Sequence, residues 1–278
     1  MTDSSAAPLP SPVAILGGGS MGGAILSGLR AAGVADLRVT TRTATRALEP
    51  ADGLRVLVAE QEPDANRAAV RGARLVVVAV KPAGVTALLA EIADVLEPGA
   101  VVVSVAAGIP IATMAGVLPA GTGVLRAMPN TPSAVGAGVT GVAAAPGTAP
   151  EDVAAVVAAF RTVGTVVELP EDRIDALSAV SGSGPAYVYL FLERFIDAAR
   201  RLGFSTEEAD ALVVGTAQGA LRLLAESGDD PAELRRRVTS PKGTTERAVA
   251  VFEQRDLGGI FDEALAAAIA RAKEMAAG

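Results

Sequence analysis

The chain has 278 residues, enough for one large or two medium domains, and its 24 Lys and Arg against 31 Asp and Glu leave a net charge of −7. Half of it is apolar with only 3% aromatics and no Trp, so the core must be aliphatic, while an acidic balance without any basic stripe argues against a nucleic-acid partner. Cys and His are both absent, which excludes disulfides, thiol nucleophiles, Cys/His zinc sites, haem ligation by either residue and every Ser-His-Asp arrangement.

Residues 1–12, MTDSSAAPLPSP, lack a basic stretch followed by an apolar one, so they read as a disordered leader rather than a signal peptide, and a cytoplasmic address is expected. From Val13 to Pro170, short β-branched runs alternate with helical periodicity, the signature of βαβ units and a doubly wound parallel sheet. The runs predict strands at Val13–Leu16, Leu37–Thr41, Leu54–Ala59, Leu75–Val80, Val101–Val105, Gly123–Met128, Gly138–Ala144 and Thr165–Leu169. Apolar spacing predicts helices at Met21–Ala32, Ala83–Leu96 and Asp152–Thr162.

The first strand runs into Gly17-Gly18-Gly19-Ser20-Met21-Gly22 and then an apolar helix, which is G-x-G-x-x-G in the strand–turn–helix context that dinucleotide binding requires. Gly17 allows the tight turn, Gly19 lets a diphosphate approach backbone, and Gly22 lets helix and strand pack closely. An ordinary Gly-rich turn is the plainer alternative. At the end of the second strand, where an NAD site usually carries Asp or Glu, stand Thr40-Thr41-Arg42-Thr43, with Arg46 a turn later. Arg42 and the threonine hydroxyls, Thr41 among them, suit a 2′-phosphate, at about 1.5–3 kcal/mol per charge-assisted bond, so NADPH is favoured with NADH still admissible. Solvated loop charges are the competing account. Val80-Lys81-Pro82 and Ala106-Ala107-Gly108 end two further strands on the side where open sheets bind ligands, although loop punctuation explains them equally.

Between Arg126 and Glu151 no charge occurs for a membrane-spanning length, but Pro129, Pro132, Pro146 and Pro150 interrupt it, so no membrane helix is expected. Arg126-Ala-Met-Pro-Asn130-Thr-Pro132 and Ser181-Gly-Ser-Gly184-Pro185-Ala-Tyr187 place amide and hydroxyl groups near a domain junction; taken singly, each reads as a turn and a helix cap. After Pro170, residues 171–278 read as entirely helical, with helices at Pro185–Leu202, Thr206–Glu226, Pro231–Val238, Thr244–Gln254 and from Ile260 onward. The first of these is apolar around most of its circumference, which calls for a partner chain as cover and hence an obligate dimer. Thr239-Ser240-Pro241-Lys242-Gly243-Thr244-Thr245-Glu246 is a polar turn feeding a helix, suited to a small carboxylate or simply to an N-cap.

In order, GGGSMG, VKP, AAGI, RAMPNTP, SGSGPAY and TSPKGTT resemble the pyrroline-5-carboxylate reductase family across nearly the whole chain after the leader. The resemblance implies a Rossmann-type domain followed by an all-helical dimerisation domain, with NAD(P)H-dependent reduction of 1-pyrroline-5-carboxylate to L-proline by a homodimer that in the family assembles further into rings. It also implies roles for individual residues. Gly17, Gly19, Ser20, Met21 and Gly22 match the diphosphate loop, Asn66 a position near the adenosine, and Val80, Lys81 and Ala107 the surroundings of the nicotinamide. Ser240, Gly243, Thr244 and Thr245 match the turn that holds the substrate carboxylate, with the Thr245 hydroxyl directed at the ring nitrogen as the catalytic contact. Two departures stand out: Ser20 where many members have Asn, and Lys242 in place of a glycine, which either alters the loop and its carboxylate contacts or adds a cation beside the substrate. A protonated cyclic imine already carries its proton, so a chain without imidazole can reduce it. A β-hydroxyacid dehydrogenase and a noncatalytic dinucleotide-binding regulator are the rival readings; the first wants a Lys on the long interdomain helix, where this chain has none.

Overall fold

The computed structural model describes residues 8–43 and 50–277; the first part of the leader and Arg46 lie outside the described residues. The described chain forms two compact units, one running to Ser183 and taking in residues from Ile269, the other Gly184–Ala268.

The first unit holds an eight-stranded sheet in the order β3-β2-β1-β4-β5-β6-β7-β8. Its strands are β1 (Val13–Leu16), β2 (Leu37–Thr41), β3 (Leu54–Val58), β4 (Leu75–Val78), β5 (Val101–Ser104), β6 (Gly123–Met128), β7 (Gly138–Ala144) and β8 (Gly164–Glu168). Helices α1 (Ser20–Ala31), α2 (Ala65–Val70), α3 (Val85–Ile92), α4 (Ile111–Ala115), α5 (Pro150–Arg161) and α6 (Ile174–Leu177) connect and cover them. Every residue of β1, β4 and β5 is buried, as continuous apolar strands require when both sheet faces are covered. Side chains alternate between two cores. Ala14, Leu16, Val76 and Val78 pack with α2, α3 and α4 through Ala69, Val85, Leu89 and Met114. Val13, Ile15, Val77 and Val103 pack with α1 and α5 through Ile25, Leu29, Val156 and Phe160.

Strands β1 to β6 pair in parallel, but the parallel arrangement expected throughout fails at β7, which is antiparallel to β6. The cause is the connection: residues 129–137 make only a 3₁₀ turn at Thr131–Val135, and a parallel return needs a crossover of about a dozen residues or more. Helix α5 supplies such a crossover next, so β8 is again parallel to its neighbour β7. The helix expected over Ala83–Leu96 is α3 flanked by 3₁₀ turns at Pro82–Gly84 and Ala93–Val95.

Beyond β8 the chain is fastened back onto the sheet. Arg126 on β6, 7% exposed, reaches Asp175 of α6 at 3.3 Å and Glu171 at 3.7 Å, and Glu171 in turn accepts the Ile111 N–H that opens α4. A π-turn at Ser178–Gly182 follows α6.

In the second unit are α7 (Gly184–Arg201), α8 (Thr206–Ser227), α9 (Pro231–Arg237), α10 (Thr244–Gln254) and the start of α11 (Leu257–Ala277). Ser205 and Glu208 form a reciprocal capping box on α8, and Asp230 accepts from the Ala232 N–H ahead of α9. The shared core of α7 and α8 is thin: Ala199, Ala209 and Val213, with Leu192 and Ile196 packed against them. On α7, Val188, Tyr189, Leu190, Phe191 and Phe195 remain about half exposed in the single chain. Among the described residues no helix is long and apolar enough to cross a membrane.

Candidate functional site

Each unit carries one candidate site, and each is built on a helix N-terminus. In the first unit the sheet order reverses beside β1, between β2 and β4, the place where open α/β sheets take ligands. There a cleft of about 450 Å³ is lined by Gly17, Gly18, Gly19, Thr41, Arg42, Thr43, Val80, Lys81 and Gly84. Gly17 has φ +110° and its missing Cβ would sit 2.7 Å from the Ala79 carbonyl oxygen, while a Cβ on Gly22 would overlap the Gly17 carbonyl. Both glycines are therefore demanded by the protein's own backbone. Gly19 differs: nothing lies within 4 Å of where its Cβ would be, so its side of the cleft is open. Gly19 is also the N-cap of α1 and, having no side chain, leaves the first N–H groups of α1 facing that space.

The Thr40-Thr41-Arg42-Thr43 stretch divides in an unexpected way. The Thr40 carbonyl accepts from the Gly17 and Gly18 N–H groups, at 3.2 and 2.7 Å, and its hydroxyl accepts again from Gly17. Thr40 thus shapes the turn. Thr41 is 4% exposed and its hydroxyl has no partner, although a buried polar atom left unpaired costs about 1–3 kcal/mol. It lies on the cleft wall beside the exposed Arg42, so a polar ligand there would relieve it. These features fit a dinucleotide: an open helix N-terminus for the diphosphate, an orphan hydroxyl and a guanidinium where the adenosine ribose of such ligands falls.

Ser20, exposed, and Met21 open α1 beside the cleft, but the partly buried Met21 side chain packs against the core shared with α5. Asn66 and Ala107 do not line the cleft. Asn66, on α2, donates to both carboxylate oxygens of Glu91, at 3.2 and 3.3 Å. Next to it Arg67 hydrogen-bonds Asp94 and holds that carboxyl below the ordinary carboxylate range. Ala107 sits half-buried in the loop after β5. Thr43, named within the Thr40-Thr41-Arg42-Thr43 stretch, lines the cleft as well, and so do Gly18 and Gly84, which were given no role of their own; the run of three glycines was the available signal for Gly18.

In the second unit, Ser240 to Gly243 make a turn closed by the Gly243 N–H donating to the Ser240 carbonyl at 2.9 Å. Gly243 is the N-cap of α10 and no side chain caps this helix. The plainer alternative for this turn, a cap supplied by Thr244 with Glu246, is not what forms: Gly243 is the N-cap and the Glu246 carboxylate accepts from the Lys242 N–H at 2.8 Å. The first N–H groups of α10, at Thr244 and Thr245, are therefore offered outward with the positive end of the helix dipole behind them. Lys242 adopts φ +63°, the left-handed conformation natural to a glycine, so the loop keeps a glycine's path despite the lysine.

The two Gly/Pro motifs near the junction prove to be one structure. Asn130, 7% exposed, accepts from the Val139 N–H at 2.8 Å and donates to the Ser181 carbonyl at 3.0 Å, joining RAMPNTP to SGSGPAY.

Residues 171–275 match the family model described as pyrroline-5-carboxylate reductase dimerisation, and residues 12–108 the model described as NADP oxidoreductase, coenzyme F420-dependent. A pyrroline-5-carboxylate reductase of Pseudomonas aeruginosa is 38% identical over 267 residues, 95% of this chain and 96% of that one. The solved pyrroline-5-carboxylate reductase of Coxiella burnetii superposes with a TM-score of 0.86 at 36% identity, covering 96% of this chain and 98% of the other. Plasmodium falciparum pyrroline carboxylate reductase, solved with NADP bound, gives 0.82 at 26% identity over 97% and 100% of the two chains. A cleft shaped for a dinucleotide, a second helix N-terminus open to an anion, and this degree of identity over almost its whole length agree: the chain belongs to the pyrroline-5-carboxylate reductase family.

Proposed function

We infer that the protein reduces 1-pyrroline-5-carboxylate to L-proline with NADPH, as a cytoplasmic homodimer able to assemble into a ring of dimers. Residues 13–170 act as the dinucleotide-binding domain and 171–278 as the dimerisation and substrate domain. The observation that carries the reading is the N-terminus of α10, uncapped by any side chain and preceded by the Ser240–Gly243 turn, in a chain whose α1 N-terminus, likewise uncapped, sits at a dinucleotide cleft.

The residues divide the work as follows. The diphosphate is held by Gly17, Gly19, Ser20, Met21 and Gly22 through backbone N–H groups of α1 and the Ser20 hydroxyl. Thr41 and Arg42 take the 2′-phosphate end, Asn66 lies toward the adenosine, and Val80, Lys81 and Ala107 border the nicotinamide. Ser240, Gly243 and Thr244 hold the substrate carboxylate at α10, and the Thr245 hydroxyl hydrogen-bonds the ring nitrogen. When bound, the reduced nicotinamide supplies a hydride. The protonated imine accepts it at carbon while the C=N π pair withdraws onto nitrogen, which already bears its proton, so a neutral secondary amine forms and no strong general acid is needed. Positioning carries the rate, and a chain without His or Cys can provide it.

The test follows NADPH absorbance as the imine is added to purified protein. Turnover with the imine and none with β-hydroxyacids plus NADP supports the reading; NADPH binding without oxidation would leave a noncatalytic binder.

A further inference from the structure

We propose that Asn130 is a positioning residue for the hydride transfer, fixing the point at which the chain leaves the first unit for the helices that follow. The proposal rests on the imine-reductase reading above. Its basis is a carbonyl that the helix cannot serve. Ser181 lies in the π-turn Ser178–Gly182, and four residues on, where an α-helix would supply the donor, stands Pro185, which has no N–H. The Asn130 amide supplies that donor at 3.0 Å, while its own oxygen accepts from Val139 at the start of β7. Both ends of one buried amide are thus committed, one to the sheet and one to the last turn before Gly184, where the second unit begins. The 3₁₀ turn that Asn130 opens packs on α1, the helix whose N-terminus faces the dinucleotide cleft. One side chain therefore ties the departing chain to the cofactor's helix.

Asn130→Asp keeps the oxygen that accepts from Val139 and loses the donor to Ser181; Asn130→Ala loses both. In either variant the Arg126 contacts with Asp175 and Glu171 still hold the preceding segment. The expected result is a folded, dimeric protein by sedimentation with unchanged NADPH affinity by fluorescence titration, but with kcat reduced about tenfold to a hundredfold, as a misplacement on the order of 1 Å would produce. With 4-deuterated NADPH the isotope effect on kcat should be no smaller than in the wild type, because hydride transfer itself is slowed. Amide exchange should quicken at residues 178–187 and not in β1 or α1. Wild-type kcat in both variants, a kcat loss matched by an equal loss of NADPH affinity, or failure of both to fold would each overturn the proposal. A wild-type protein inactive on the imine would overturn the functional reading instead, while the exchange measurement would still report whether Asn130 anchors the junction.

Discussion

Thr245 occupies the second position of α10, where its hydroxyl is not needed as a cap and its helix propensity matters little. Thr245→Val keeps volume and removes one hydrogen bond, about 0.5–1.5 kcal/mol if neutral and up to about 3 if charged. A ten- to hundredfold fall in kcat with unchanged NADPH affinity is expected from steady-state kinetics; a loss confined to KM would reduce Thr245 to a part of the carboxylate pocket. Arg42 is exposed on the cleft wall next to the orphan Thr41 hydroxyl. Arg42→Ala should weaken NADPH by about 1.5–3 kcal/mol and NADH much less, so titrations with both cofactors decide the matter, and equal losses would refute it. At this scale the sequence was readable where a residue's role follows from what it lacks. Gly17, Gly19 and Gly22 declare themselves by spacing. Thr40 does not, because a threonine that shapes a turn and one that faces a ligand are the same letter, and only the Gly17 and Gly18 N–H groups converging on its carbonyl tell them apart.

Among the elements, α1 rests on one close approach of backbone to backbone. Because a Cβ on Gly22 would overlap the Gly17 carbonyl, Gly22→Ala must push α1 off β1 or distort the turn. The variant is expected to lose several degrees in melting temperature and most of its NADPH affinity, whereas Gly19→Ala, with open space around its Cβ, should keep its melting temperature and lose affinity alone. A calorimetric scan and a binding titration on the two variants separate these cases. Strand positions were legible because buried β-branched runs such as Leu75–Val78 have few other uses. The direction of β7 was not: antiparallel pairing here depends on a connection folded into a 3₁₀ turn, and the same letters with a longer link would have allowed a parallel return. Short helices such as α2 and α4 escaped notice because five or six residues do not repeat a helical period. The joining of Asn130 to Ser181 escaped for a different reason: a bond across that much sequence leaves no local pattern.

For the whole molecule, the apolar residues left half exposed on α7 set the expectation for assembly. An interface that divides a core should persist at sub-micromolar concentration with slow exchange of chains, and a folded monomer in sedimentation at that concentration would contradict it. The apolar first turns of α7 were legible in the sequence and call for cover, but the expectation of a helix apolar around most of its circumference fails, because Glu193, Arg194, Asp197, Arg200 and Arg201 gather on one side of its later turns. How much of that cover the chain provides for itself was not legible, and the answer is little: Ala199, Ala209 and Val213 form a core dominated by small side chains. That poverty bears on how the molecule comes into being. The sheet can form from one polypeptide in a first-order process, but in the proposed dimer a helical half with so little interior of its own would gain most of its stability only on meeting a second chain. Completion is then second order, so the yield of refolding should rise with chain concentration until aggregation competes, and newly synthesised copies at low abundance would wait, half built, for one another.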